Sequence, residues 1–180
     1  LTQNSRTRQI TLIGLMTAIT CILAPLSIPL PFSPVPISLT NLVIFISVFI
    51  LGMKDATISF LIYLLLGAVG LPVFASFHAG LSVLAGPTGG YLIGFIFLAL
   101  IQGFAMKYFD RKLIPTIIGM LIGMAVCYIF GTVWLAKLMS LSFKEGLFMG
   151  VIPYLPGDAV KIIIAVIVGP KLYAATKKVR

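Results

Sequence analysis

Two residues of opposite charge stand near the start of an apolar segment in the last part of the chain. The stretch Y-L-P-G-D-A-V-K-I-I-I-A-V-I-V-G occupies residues 154–169, and it places Asp158 and Lys161 three positions apart. On a helix, side chains at this spacing lie on the same face. Ionisable residues in so apolar a segment are costly and mark functional sites by default. The pair is therefore the first candidate for a binding site.

The chemistry of this pair suits a small polar group that carries little net charge. A carboxylate such as that of Asp158 can accept two N–H donors side by side from a cyclic urea or amide, and Lys161 can donate to a carbonyl. Pro156 suits the first turn of a helix, so Asp158 would lie near the positive end of the helix dipole. The alternative is a self-neutralising pair whose charges reach the membrane interface.

The composition indicates an integral membrane protein. Of 180 residues, 60% are hydrophobic and 9% are charged, and the mean hydropathy is +1.17. A soluble domain needs more charged residues on its surface than this chain has. A membrane-spanning helix needs about 20 mainly apolar residues, so six fill the chain as one all-α domain over residues 1–180. Cutting at charges and at Pro/Gly clusters predicts spans at residues 9–24, 39–52, 54–70, 91–106, 113–135 and 156–174.

The distribution of basic residues predicts that both termini are cytoplasmic. With that orientation, only Lys137 and Lys144 lie on the outer side, and Lys161 lies within a span. The cytoplasmic side then holds ten basic residues: Arg6, Arg8, Lys54, Lys107, Arg111, Lys112, Lys171, Lys177, Lys178 and Arg180. This asymmetry follows the positive-inside rule. It accounts for the net charge of +9 without a nucleic-acid partner.

Three irregular segments fall on the predicted outer side. They are the proline-rich residues 25–36, the glycine-rich residues 71–90 and residues 155–158 at the start of the last span. Irregular backbone at membrane depth is tolerated where it is buried in protein or lines a polar cavity. The three segments therefore predict a shallow pocket that opens outward. The alternative is a set of ordinary loops stiffened by proline.

No motif in the sequence supports catalysis. The chain has no G-x-x-x-x-G-K-[ST] phosphate loop, no G-x-S-x-G and no H-E-x-x-H, so ATP hydrolysis would need other subunits. Cys21, His78 and Cys127 lack neighbours at metal-ligand spacing, and the two thiols are interpreted as small core residues. We expect a protein that is not an enzyme and has no cofactor or metal. Gly14 and Ala18 form a small-x-x-x-small pair, which allows another helix to approach closely.

Four separated motifs resemble the BioY family, the biotin-binding substrate-specificity (S) components of energy-coupling factor (ECF) transporters. They are P-V-P-I-S-L-T at 34–40, L-L-L-G-A-V-G-L-P-V-F-A at 64–75, G-P-T-G-G-Y-L-I-G-F at 86–95 and P-G-D-A-V-K at 156–161. The resemblance implies a six-helix bundle in a prokaryotic cell membrane, surrounded by lipid, that captures biotin with high affinity at the outer face. It also implies a partner module of one transmembrane coupling protein and two ATP-hydrolysing subunits.

The resemblance also implies roles for individual residues. Asp158 would accept the N–H groups of the biotin ureido ring, and Lys161 would donate to a polar group of the ligand. Gly14 and Ala18 would contact the coupling protein. The remaining candidate binding residues lie in or beside the motifs: Ser38, Thr40, Asn41, Ser76, Gly90 and Tyr91.

Two departures from the family pattern touch the predicted pocket. Thr40 stands where the family commonly has glutamine, so no glutamine contact is carried over. Phe77, His78 and Ala79 make the following connection less glycine-rich than usual. Two alternatives to biotin capture stay open: an S component for another small heterocyclic vitamin, and a structural assembly subunit in which Asp158 and Lys161 form an internal ion pair. Ligand binding separates them.

Overall fold

The structure, a computed structural model, describes residues 3–178 and is mainly helical. Arg180, counted above among the cytoplasmic basic residues, lies outside the described range. The helices are α1 Gln3–Leu23, α2 Thr40–Leu51, α3 Met53–Ala68, α4 Leu81–Ala85, α5 Gly89–Tyr108, α6 Leu113–Leu138, α7 Phe143–Gly150 and α8 Leu155–Lys178. Two strands, β1 Ser27–Leu30 and β2 Ser33–Ser38, lie between α1 and α2.

Each of the six predicted spans overlaps one of the long helices α1, α2, α3, α5, α6 and α8. The short helix α7 lies in the connection between α6 and α8. It begins with a capping box, in which the Ser142 hydroxyl accepts from the Glu145 backbone N–H and the Glu145 carboxylate accepts from the Ser142 backbone N–H. Such reciprocal bonds satisfy N–H groups that a helix start otherwise leaves without partners.

In the described part of the chain, three helical segments are long and apolar enough to cross a membrane: Gly89–Tyr108, Leu113–Leu138 and Phe143–Lys177. The outward face of α6 carries exposed aliphatic side chains such as Ile114, Ile118 and Leu121, which suits contact with lipid. The α2 helix is apolar but has 12 residues. At 1.5 Å per residue it spans about 18 Å, less than a hydrocarbon core of about 30 Å.

The proline-rich stretch forms an antiparallel hairpin rather than an irregular loop. Ser27 pairs with Ser38 and Ile28 pairs with Ile37 across β1 and β2. Proline lacks an N–H and is tolerated on strands with an open edge, and both strands of a two-stranded sheet have one. The chain is therefore mainly helical with one small hairpin, whereas the sequence predicted an all-α protein.

Glycines let α5 and α6 pack closely side by side in opposite directions. A Cβ added at Gly94 would lie 2.8 Å from the Cα of Cys127, and one at Gly123 would lie 3.1 Å from the Cα of Leu98. Real Cβ atoms need more space than this, so the two backbones approach each other only because side chains are absent there. This contact fixes how Tyr91 on α5 and Tyr128 on α6 are placed at the end of the bundle where α5 begins.

An aromatic core lies beside this helix pair. The ring of Tyr63 on α3 lies 5.5 Å from that of Phe60 and 5.6 Å from that of Phe74, measured between centroids. Phe74 belongs to the connection after α3, and its buried ring fills the space above Gly67. Aromatic pairs at these distances contribute beyond their buried area. The connection is thus held against the bundle, which positions the residues that follow it.

Candidate ligand-binding site

A cavity of about 390 Å³ lies at the end of the bundle where α2, α5 and α8 begin. Hairpin residues, the connection after α3 and the helices α2, α5, α6 and α8 surround it. Apolar walls come from Phe74, Leu92, Phe95 and Met124. Of the described side chains that line it, two carry a full charge, those of Asp158 and Lys161. A mostly apolar cavity of this size with a few polar groups is typical of sites for small molecules.

The charged pair is buried and in direct contact. Lys161 Nζ lies 2.8 Å from Asp158 Oδ1, and the two residues are 8% and 7% exposed. The contact is the one that a spacing of three on a helix allows. Asp158 lies in the first turn of α8, where the helix dipole favours a negative charge.

Asn41, at the start of α2, also contacts this carboxylate. Its Nδ2 donates a hydrogen bond of 2.7 Å to Asp158 Oδ1, and its Oδ1 accepts from the Leu42 backbone N–H at 3.1 Å. Asn41 is 3% exposed. A buried amide is stable only when its polar atoms are bonded, so these partners hold its side chain in one orientation.

Tyr128 on α6 is a site residue that the sequence did not reveal. Its hydroxyl donates to Asp158 Oδ2 at 2.5 Å, and its ring lines the cavity. The signal was present but weak: a hydroxyl-bearing side chain in the middle of an apolar segment. Polar groups in such segments usually face the protein interior.

The network leaves a limited number of free sites for a ligand. A carboxylate offers about four lone-pair sites. At Asp158, Oδ1 is occupied by Asn41 and Lys161, whereas Oδ2 has only Tyr128 as donor. Lys161 donates a second bond to the Ser38 carbonyl at 2.7 Å, so one of its three protons remains. In this arrangement the pair offers one acceptor site and one donor, rather than two acceptor sites side by side.

Ser38 is the last residue of β2 and Thr40 is the first residue of α2, and both line the cavity. The Ser38 hydroxyl donates to Thr40 Oγ1 at 3.0 Å, and the Ser38 carbonyl accepts from Lys161. Thr40 is 3% exposed. Thr40, one of the departures noted in the sequence, is therefore bonded within its own turn.

Tyr91 and Gly90, adjacent on α5, face different surroundings. The Tyr91 ring lines the cavity, and its hydroxyl donates to the Gly150 carbonyl at 3.0 Å. A Cβ added at Gly90 would overlap the side chain of Trp134 on α6. The structure thus brings Tyr91 to the cavity, whereas it places Gly90 in the contact between α5 and α6.

The connection after α3 contributes Ser76 and His78 to the cavity lining. Ser76 has a positive φ of 57°, and its hydroxyl lies 2.9 Å from that of Ser27 on β1. His78 Nδ1 lies 2.9 Å from the Ala75 carbonyl oxygen, so this nitrogen carries the proton and donates. Phe77 points outward and is 63% exposed. Of the three departures in this connection, His78 is the one at the cavity.

Tyr154 ties the hairpin to the start of α8. Its hydroxyl donates to Ser33 Oγ at 2.8 Å and also contacts the Val35 carbonyl. Tyr154 is 7% exposed and lines the cavity. Tyr154 directly precedes α8, the helix that carries the charged pair. Its hydrogen bonds therefore hold the hairpin over the cavity.

Gly14 and Ala18 lie on an exposed face of α1, away from this cavity. A Cβ added at Gly14 would meet no atom of the described residues within 4 Å. The surface at Gly14 is therefore not covered by other described residues. A helix face must be uncovered in this way before a helix of another chain can pack against it.

Comparison with known proteins gives one consistent result. The BioY family model matches residues 1–178. The chain is 36% identical to the biotin transporter BioY of Rhizobium etli over 172 residues, which cover 91% of each protein. It is 32% identical to the biotin transporter BioY2 of Lactococcus lactis subsp. cremoris over 173 residues, covering 96% of this chain and 94% of that relative.

The fold has a solved counterpart. The crystal structure at 2.1 Å of the S-component for biotin from an ECF-type ABC transporter is similar with a TM-score of 0.89. The two are 31% identical, and the match covers 96% of this chain and 94% of the other. The family resemblance of the four motifs is confirmed: this chain belongs to the BioY family.

Proposed function

We propose that this chain binds biotin and is the substrate-binding subunit of a biotin uptake transporter of the ECF type. The observation that carries the proposal is the buried network around Asp158 and Lys161 at the end of an apolar cavity. Relatives over nearly the whole chain are named biotin transporters, and the similar solved structure is an S-component for biotin.

The free positions of the network fit the polar head of biotin. The ureido ring presents two N–H groups and one C=O. One N–H can donate to the open lone pair of Asp158 Oδ2, and the remaining proton of Lys161 can be donated to the carbonyl. The fused ring and the carbon chain then pack against Phe74, Phe95 and Met124. Asp158 and Lys161 hold and orient the ligand, and no bond is made or broken.

The proposed topology has six membrane crossings with both termini in the cytoplasm of a prokaryotic cell. Arg8, Lys54, Arg111 and Lys171 lie at one end of the bundle, and the cavity lies at the other. The positive-inside rule then directs the cavity outward. A cavity that opens outward can capture biotin before any transport step.

Uptake driven by ATP requires other subunits in this proposal. The sequence contains no phosphate-loop motif, so a coupling protein and two ATP-hydrolysing subunits would supply the energy. The open α1 face at Gly14 and Ala18 would contact the coupling protein, since small side chains let two helices approach closely.

A titration tests the binding proposal directly. The purified chain in detergent should bind biotin with saturation, and excess biotin should raise its melting temperature, because ligand that binds only the folded state stabilises it. Thiamine and riboflavin serve as ligands of other vitamin classes. A folded chain that binds no biotin would support the structural assembly subunit instead. Binding of another vitamin in place of biotin would overturn the assignment of the ligand.

A further inference from the structure

A second crevice, of about 580 Å³, lies at the end of the bundle opposite the ligand cavity. It lies between the start of α1, the junction of α2 and α3, the end of α5 and the turn into α6. Gly52, with a positive φ of 82°, forms the junction of α2 and α3 and lets the chain turn there. The polar lining consists of Gln9, Lys54, Asp55, Lys107, Asp110 and Arg111.

The basic groups of this crevice are not neutralised by its acidic groups. Among the side chains that the structure describes, the one ion pair within 4.0 Å is Asp158–Lys161, at the other end. Asp55 Oδ2 instead accepts a hydrogen bond of 2.7 Å from Gln9 Nε2. The lining holds three basic and two acidic side chains, a formal charge of +1 (3 − 2). Lys54, Lys107 and Arg111 thus remain available to an anion.

Arg111 is fixed in place before any ligand arrives. Its Nη1 donates to the Phe49 carbonyl, near the end of α2, at 2.7 Å. Its guanidinium carbon lies 3.8 Å from the centroid of the Tyr173 ring on α8, a cation–π contact. A guanidinium has five N–H donors, so several remain after these contacts. An arginine held in this way can bind a phosphate through two parallel hydrogen bonds.

The crevice is next to a group of exposed aromatic side chains at the end of α5. The ring centroids of Phe104 and Tyr108 are 5.8 Å apart, and those of Tyr108 and Phe109 are 5.1 Å apart. Tyr108 is 71% exposed. Aromatic rings of this kind are enriched where a membrane protein crosses the headgroup region. This aromatic group favours a position of the crevice at the depth of lipid headgroups.

We propose that this crevice binds the phosphate group of an anionic phospholipid. The phosphate would accept hydrogen bonds from Arg111, Lys54 and Lys107, while the acyl chains follow the apolar surface that includes Phe104. A lipid with an anionic headgroup, such as phosphatidylglycerol, would match the positive charge of the lining. Basic residues at a membrane surface attract such lipids. The site is separate from the biotin cavity, so either ligand can bind without the other.

Native mass spectrometry with added lipid can test this site. Wild-type protein should retain phosphatidylglycerol several-fold more than phosphatidylcholine of the same chain length. The double variant K54Q/K107Q should lose that preference, because two phosphate donors lose their charge. Arg111 stays unchanged in this design, since it also contacts α2 and α8. The matched control K137Q/K144Q removes two exposed lysines at the other end and should keep the preference.

Three outcomes would overturn the proposal. Equal retention of the two lipids by wild-type protein would show that the crevice does not select an anionic headgroup. A preference that survives K54Q/K107Q would place lipid selection elsewhere on the protein. Displacement of the lipid by an equal concentration of glycerol 3-phosphate would show that the site binds a free phosphate ester. Biotin titration of each variant confirms folding and is independent of these outcomes.

Discussion

Asn41 Nδ2 on α2 lies 2.7 Å from Asp158 Oδ1 on α8, although 117 positions separate the two residues in the chain. A second long-range bond joins Lys161 to the Ser38 carbonyl, just before α2. The starts of α2 and α8 are thus connected at two points. Farther along, α8 has a glycine at position 169, where a Cβ would overlap the Phe49 ring of α2. The polar site is therefore held in shape before a ligand arrives, which reduces the cost of binding.

Tyr128→Phe should weaken biotin binding about tenfold, which corresponds to one hydrogen bond to a charged group. The hydroxyl of Tyr128 holds the Asp158 carboxylate in orientation through Oδ2. Without it, the carboxylate samples positions that do not face the ligand. Isothermal titration calorimetry measures the change. Tyr108→Phe, the same change at an exposed position on the opposite end, should leave affinity unaltered. If the two variants bind biotin with equal affinity, Tyr128 is not part of the binding site.

Gly94→Ala should destabilise the protein by about 1–3 kcal/mol through overpacking. The added methyl would lie 2.8 Å from the Cα of Cys127 and 3.0 Å from its carbonyl oxygen, and backbone atoms cannot move aside as a side chain can. Gly157→Ala is the matched control, since a Cβ there meets no described atom within 4 Å. Melting temperatures in one detergent compare the two. A Gly94→Ala protein as stable as the control would show that α5 and α6 are not packed this closely.

Gly14→Leu and Ala18→Leu should weaken assembly with the coupling protein while biotin binding stays unchanged. A leucine on this face of α1 would keep another helix from approaching closely. Co-purification with a tagged coupling protein measures assembly. Ala125→Leu makes the same kind of change on an exposed position of α6 and should not affect assembly. Normal recovery of the coupling protein with both α1 variants would place the contact elsewhere.

Cysteine labelling in intact cells should show that both termini are cytoplasmic. Cys21 and Cys127 are first replaced by alanine, and single cysteines are then introduced at Arg6, Lys177 or Lys144. A membrane-impermeant thiol reagent should label the cysteine at position 144 from outside, and the other two only after the cells are opened. These expectations follow from the positions of the basic residues. Labelling of position 6 or 177 in intact cells would reverse the proposed orientation.

The helices overlap the segments predicted from the sequence because hydrophobicity and breaks at charges or glycines are local signals. The Asp158–Lys161 contact was also predictable, since a spacing of three determines which side chains share a helix face. Tyr91 came from a motif and Asn41 directly follows one, and the structure places both at the cavity. In each of these cases, information within a few residues was sufficient.

The rest depended on contacts between distant parts of the chain. Tyr128 lies on a helix that is apolar on nearly every side, so periodicity gave no indication that it faces Asp158. Gly90 belongs to a motif beside the site, yet its own neighbour is Trp134 of α6. The hairpin was missed because prolines argue against strands, and its pairing of residues 27 and 38 is visible only in three dimensions.

The Asp158→Asn variant provides the most direct measurement of the central claim, that this network holds biotin. The amide keeps the shape of the side chain but removes its charge and replaces one acceptor with a donor. It also leaves Lys161 buried without its counterion, so the melting temperature without ligand should fall. Asp110→Asn, an exposed change at the other end of the bundle, is the matched control.

Biotin affinity of the two folded variants is then compared by isothermal titration calorimetry. The account predicts that Asp158→Asn weakens binding about 10- to 150-fold, since the one charge-assisted hydrogen bond that Oδ2 offers to the ligand contributes about 1.5–3 kcal/mol. Asp110→Asn should bind as the wild-type protein does. A folded Asp158→Asn protein that binds biotin with wild-type affinity would contradict the account, because the pair would then be structural and the ligand site would lie elsewhere.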